Sequence, residues 1–230
     1  MVWYPPVPRQ EDIVRNLKVV HPRPSPLEAL EPRRRGILEA AYGVLLERGY
    51  AGANTLEIAR RARVSKRELY AEFGNKSGLL RALISATAGR MRIPLAVEHV
   101  PDANRLRSVL RRYGTTALTE LTRAPVLALN RLAIAEAGRS NEMGRILEQD
   151  GREPNRRALI ELLAKAKAAG VLRSGEPETI AGQFFSLLMG DLMMRLLLGV
   201  IEPPPAKEIR RRAESATSAV LALYGTASGL

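Results

Sequence analysis

From residue 33 onward, apolar residues recur at helical spacing along most of the chain. Over 33–47, Ile37, Leu38, Ala41, Val44 and Leu45 share one face, and Arg48-Gly49 closes the segment, so a helix is predicted here with Tyr42 in the core. Two short amphipathic stretches follow. Leu56, Ile58, Ala59 and Ala62 give the first an apolar face, and Asn54 with Glu57 three residues on has the spacing of a capping box. After Val64, Ser65 and Glu68 repeat that spacing and open a second helix. Its inward anchors are Leu69 and Phe73, four apart, with Lys66, Arg67, Tyr70, Ala71 and Glu72 outside. Asn75 is a good N-cap for a longer helix running from Lys76 to about Met91, stopped by Pro94, with Leu79, Leu80, Leu83, Ile84 and Thr87 inward.

The remaining pattern predicts five more helices: about 103–122, 125–137, 141–170 with a break near Gly151 to Pro154, 177–198 and 205–224. Pro101, Pro125, Pro154, Pro177 and the Pro203-Pro204-Pro205 run mark their starts, where proline is tolerated. The stretch 177–198 is apolar round most of its circumference, from Ile180, Phe184 and Phe185 to Leu196 and Leu197, and such a helix needs burial on several sides. In the last helix Ile209, Ala213, Ala216, Val220 and Tyr224 form one stripe. Residues 1–32 hold seven prolines, which forbid a continuous helix, so a mobile proline-rich arm is expected there.

Composition narrows the fold class to all-α. Aromatic residues are only 4% of the 230, and the apolar share is mostly Ala and Leu, strong helix formers. Without cysteine there is no disulfide, thiolate nucleophile or zinc-thiolate site. The two histidines, His21 and His99, have no partners at metal-ligand spacing. No phosphate-binding glycine loop or nucleophile motif occurs, so no catalysis, metal or cofactor is expected. No apolar run resembles a signal peptide or a membrane span, and a cytoplasmic protein is expected. The net charge of +12 attracts polyanions. It is densest over residues 33–76, which carry ten basic and five acidic side chains. Charge alone leaves two readings open, a sequence-specific DNA binder and a basic protein that binds nucleic acid or anionic membrane surface without reading sequence.

The two short helices and the tight turn between them form a helix-turn-helix, whose second helix fits the size of a DNA major groove. Thr55, Ile58-Ala59, Ala62, Val64-Ser65-Lys66, Leu69-Tyr70, Phe73, Lys76 and Leu79-Leu80 stand in the register of the N-terminal domain of the TetR family of bacterial transcriptional regulators. The resemblance covers about Arg33 to Met91. Two positions depart from it: Arg63 stands where the family usually has a glycine in the turn, and Arg67-Glu68 replaces a small residue and a threonine. A positive φ at Arg63 would strain the turn by roughly 1 kcal/mol.

The resemblance implies an all-α homodimer, with a helix-turn-helix domain over 33–78 and an effector-binding and dimerisation domain over 79–230. It implies a ligand-released repressor on a near-palindromic operator. Thr55 and Lys76 would meet phosphates, Lys66 phosphate or guanine, Tyr70 phosphate or a thymine methyl, and Arg67 guanine. Ser65 would contact DNA or serve only as the helix cap. In the second domain, the runs NRLAIAEAGR and GVLRSGEPETIAGQFFSLLMG resemble the AefR-like subgroup. Polar residues on its apolar helices, Tyr113, Asn130, Glu136, Gln183, Asp191 and Arg195, are the candidates to recognise an effector, each weighed against a structural role. Asp191 and Arg195, four apart, can simply pair. Met189, Met193 and Met194 beside Phe184 and Phe185 point to a hydrophobic effector.

Overall fold

A computed structural model describes residues 30–226 of the protein. Residues 1–29 of the arm expected over 1–32 therefore lie outside the described residues, and its last three are described: Glu31 caps a helix that begins at Pro32. The chain divides after Leu79 into two compact units.

The first unit is built from α1 (Pro32–Gly52), α2 (Thr55–Arg61), α3 (Lys66–Phe73) and the start of α4 (Lys76–Arg92). Helix α1 buries Ile37, Leu38, Ala41, Val44 and Leu45 and is kinked at Gly49, whose φ of 70° and ψ of 175° end the regular helix where Arg48-Gly49 was expected to end it. Tyr42 is only half-buried, although that is enough desolvation to raise its phenol well above the ordinary range.

The two predicted caps part ways. Asn54 accepts from the Leu56 amide (2.8 Å), but Glu57 does not return a bond to Asn54 and is drawn instead into ion pairs with Arg61 and Arg48. The first capping box is therefore half-made, and Leu56, counted in the apolar face, stands 51% exposed. At α3 both halves form: Ser65 Oγ accepts from the Glu68 amide (3.2 Å), and Glu68 accepts from the Ser65 amide (2.7 Å). Leu69 and Phe73 are the buried anchors of α3. Asn75 caps α4 by accepting from the Gly78 amide (2.8 Å). The Arg61 fork grips both oxygens of Glu47 (2.7 and 2.6 Å) and ties α2 to α1. Between α2 and α3, Arg63 adopts φ 55°, the left-handed conformation its glycine-like position implied.

In the second unit a 3-10 turn (Ile93–Leu95) ends α4, and α5 (Ala103–Leu121), α6 (Ala124–Glu136), α7 (Glu142–Ile146), α8 (Glu153–Ala168), α9 (Pro177–Met189), α10 (Leu192–Leu197) and α11 (Ala206–Tyr224) follow. Its core is made by Leu106, Leu110 and Tyr113 of α5 with Leu159 and Leu163 of α8, Phe184 and Leu188 of α9, and Ile209, Ala213 and Val220 of α11. Two expectations change here, and a third feature gains a neighbour. The stretch 141–170 does not break near Pro154: Leu147–Arg152 winds as a π-helix between α7 and α8, and the Glu153 amide reaches back five residues to the Glu148 carbonyl. The wider turn accommodates a proline that lacks an amide to donate. The stretch 177–198 is two helices, because Gly190, at φ 50°, ends α9. The stripe on α11 is spent inside this unit, since Ile209, Ala213, Ala216 and Val220 are buried in the chain's own core. Spacing revealed the stripe but not which neighbour would cover it.

Candidate functional site

On α3 the side chains between the two anchors face solvent, and three of the predicted residues come together. Tyr70, 39% exposed, shares a hydrogen bond with Thr55 of α2 (3.0 Å), and the Lys66 ammonium lies 5.5 Å from the centre of the Tyr70 ring. Arg67 is exposed beside them, with no hydrogen bond or ion pair among the described residues. Ser65 is committed as the cap, its hydroxyl accepting from the Glu68 amide and lying against the Glu68 carboxylate. Lys76 is already engaged within the unit: its ammonium donates to the Tyr50 carbonyl (2.7 Å) and lies 4.5 Å from the Tyr50 ring centre, closing the carbonyl end of α1.

Two carboxylates on α3 would repel phosphate, and α1 answers both. Arg33 pairs with Glu68, and Arg34 pairs with Glu72 (3.1 Å) while its guanidinium stacks 5.0 Å from the Phe73 ring centre. Glu68 is held below the usual carboxylate range, first by the hydrogen bond from the Ser65 amide, then by the Ser65 hydroxyl and Arg33. With these carboxylates neutralised, the uncompensated charge on α3 comes from Lys66 and Arg67; Arg60 and Arg63, on the preceding helix and turn, are exposed as well. Sequence reading missed this division of labour, because nothing in spacing pairs positions 33 and 34 with residues 35 and more away.

The second unit contains a cavity of about 1090 Å³. Its walls come from α4 (Ile84, Thr87, Ala88, Met91), from α6, from the π-helical turn and from α9, where Phe185 and Met189 face it. Of the predicted effector residues, Tyr113, Asn130 and Gln183 line it; Glu136, Asp191 and Arg195 do not. Glu136 sits half-buried at the end of α6, and Asp191 is exposed and pairs with Arg195 (3.6 Å), the local pairing their spacing allowed. Asn130 donates to the Val126 carbonyl (2.9 Å), and Gln183 accepts from the Tyr224 hydroxyl (2.6 Å), so both already have structural bonds. Tyr113 is wholly buried between Phe184 (centroids 6.2 Å apart, stacked) and Phe185 (5.9 Å, edge-on), and its hydroxyl has no partner among the described residues. Burial raises its phenol well above the ordinary range, with the Arg92 charge opposing. Asn155, which follows Pro154 and reads in sequence as turn punctuation, also lines the cavity. Among the described residues no helix is long and apolar enough to cross a membrane, and no group of three or more His, Cys, Asp or Glu side chains could hold a metal ion.

Comparison with known proteins gives both units a family. Residues 37–83 match the tetR family of bacterial regulatory proteins, and residues 108–226 match the C-terminal domain of AefR-like transcriptional repressors. A TetR transcriptional regulator from Agrobacterium tumefaciens is 34% identical, with a TM-score of 0.72 over 87% of this chain and 100% of its own. The flavonoid-responsive regulator FrrA is 28% identical, with a TM-score of 0.67 over 85% of this chain and 98% of its own. The HTH-type transcriptional regulator YvkB of Bacillus subtilis is 29% identical over 181 residues, 77% of this chain and 92% of YvkB. With an exposed, cationic α3 set on a helix-turn-helix and a second unit matched over residues 108–226, the chain belongs to the TetR family and is a DNA-binding transcriptional repressor.

Proposed function

We propose that the protein acts as a homodimer on a near-palindromic operator in the bacterial cytoplasm, and that a small, largely apolar effector releases it from DNA. In this reading α3 enters the major groove, Lys66 and Arg67 reach phosphate or guanine, and Tyr70, steadied by Thr55, meets a phosphate or a thymine methyl. Ser65 and Lys76 contribute secondarily, because the cap and the Tyr50 carbonyl compete for them. The observation that carries the effector reading is the cavity wall. Four residues of α4 line it, and the same helix begins at Lys76, directly after the reader. An effector that binds one setting of α4 better than another shifts the population of DNA-competent dimers by that difference in affinity. FrrA, a relative named for its response to flavonoids, is consistent with a bulky, weakly polar effector.

Selection of the purified protein on a random duplex library at near-physiological salt tests the reading. Enrichment of a two-fold-symmetric site is expected, with half-sites about one helical turn or slightly more apart. Recovery without a motif, with retention that vanishes as salt rises, would replace it with a basic surface that binds without reading.

A further inference from the structure

The second unit has another concave surface, of opposite character to the apolar cavity and sharing no lining residue with it. It is an open groove of about 860 Å³ between α5 and α11, with Arg90, Ile93 and Pro94 from the end of α4 and the turn after it. Helical spacing puts its charge there. Arg112, Thr115 and Thr116 stand one turn apart on α5, and Lys207, Arg210, Arg211 and Glu214 keep the same period on α11. With Arg90 and Arg111 included, six lining side chains are cations and two are carboxylates. Both carboxylates are already shared between arginines. Glu120 is buried beside Arg123 (3.3 Å) and Arg90 (3.7 Å), and Glu214 has Arg107 and Arg111 each 3.6 Å away. Arg211 pairs with Glu208 (2.7 Å). Arg112, Lys207 and Arg210 are exposed and have neither an ion pair nor a hydrogen bond among the described residues. The half-buried Thr115 and Thr116 are open as well: Thr122 and Thr217 donate back to the carbonyl four residues earlier (2.8 and 2.7 Å), whereas these two make no such bond.

Like charges gathered on two packed helices repel, and an anion of matching charge density removes that cost. A single carboxylate answers one cation. Three uncompensated cations with two hydroxyl donors call for several charges on one molecule, and arginine forks match the paired oxygens of phosphate. The groove has the volume of a small-molecule site. We propose that it binds a small molecule carrying a di- or triphosphate group, held by Arg112, Lys207 and Arg210 with Thr115 and Thr116 as neutral donors. Ile93, 67% exposed, offers an apolar edge to whatever the phosphate chain is attached to. This site stands apart from the effector reading and does not rest on it.

Calorimetry on the full chain tests this with inorganic tripolyphosphate, orthophosphate and ATP, all free of metal, at near-physiological salt that screens non-specific attraction. Tripolyphosphate should bind with a Kd of about 100 μM or tighter, and orthophosphate at least about tenfold more weakly. The double variant Arg112→Gln with Arg210→Gln should lose at least about tenfold in tripolyphosphate affinity and melt no lower, since neither side chain bonds to the fold. Lys66→Gln with Arg67→Gln, on α3, should leave that affinity unchanged. ATP binding as tightly as tripolyphosphate would assign recognition to the phosphate chain alone, and tighter ATP binding would add the Ile93 edge; both uphold the site. Absence of tripolyphosphate binding overturns it. So does affinity that survives in the groove variant, and its loss in the α3 variant would then place the anion on the reader helix. Orthophosphate binding as tightly as tripolyphosphate overturns the oligophosphate class. A groove variant that loses affinity for duplex DNA, while wild type ignores tripolyphosphate, gives the surface to DNA instead.

Discussion

At Arg63 a long, branched cation occupies a backbone conformation with φ 55°, which costs an L side chain roughly 1 kcal/mol relative to glycine. The side chain is exposed and has no bond among the described residues to offset that cost. Arg63→Gly should therefore stabilise the protein by about 0.5–1 kcal/mol, part of the relief being lost to the freer unfolded chain. A urea midpoint that moves down rather than up would show that the arginine makes stabilising contacts outweighing the strain. Among the predicted DNA contacts, Lys66 and Tyr70 carry little of the fold, since both are exposed and the anchors Leu69 and Phe73 lie on the opposite side of α3. Replacing both with alanine should weaken operator binding at least about 30-fold, two contacts each worth about 1–3 kcal/mol, while helix content stays intact. Mobility-shift titration beside circular dichroism checks this, and unchanged affinity would displace α3 as the reader. That both face outward was legible from spacing, and their roles as contacts from the family resemblance. The turn of Lys76 toward Tyr50 was not, because a residue's partner 26 positions away depends on how α1 and α4 meet.

At the scale of elements, the joint between α3 and α4 is the tightest constraint. A Cβ on Gly78 would stand 1.9 Å from the carbonyl oxygen of Phe73, the last residue of α3. Gly78→Ala should displace the reader helix and cost about 1–3 kcal/mol, the range for overpacking. Its operator affinity should fall even at temperatures where the protein is folded; thermal melts with DNA titrations separate the two effects, and a variant with wild-type melting and binding would refute the constraint. Sequence located most helices well because caps, prolines and apolar spacing are local signals. It failed where geometry departs from the regular α-helix. The π-helical turn over Leu147–Arg152 looked like a break, and Gly190 looked like one more residue of a long helix.

At the scale of the whole molecule, the second unit leaves large apolar side chains uncovered, among them Leu187, Met194 (62% exposed) and Leu198. Exposed apolar side chains of this number on one pair of helices fit a surface meant for a partner. Lysines at both Leu187 and Met194 should convert a dimer into a folded monomer by light scattering, with operator binding lost. A variant that remains dimeric would place the interface elsewhere. The sequence by itself determined the all-α class, the helix-turn-helix and its outward residues, because periodicity, capping and charge act within a few positions of each other. The tertiary structure alone decided which polar residues share the cavity. It admitted Tyr113, Asn130, Gln183 and the overlooked Asn155, and it left Glu136 and Asp191 outside. A cavity is enclosed by helices distant in sequence, and whether a polar side chain faces it or solvent follows from how those helices pack.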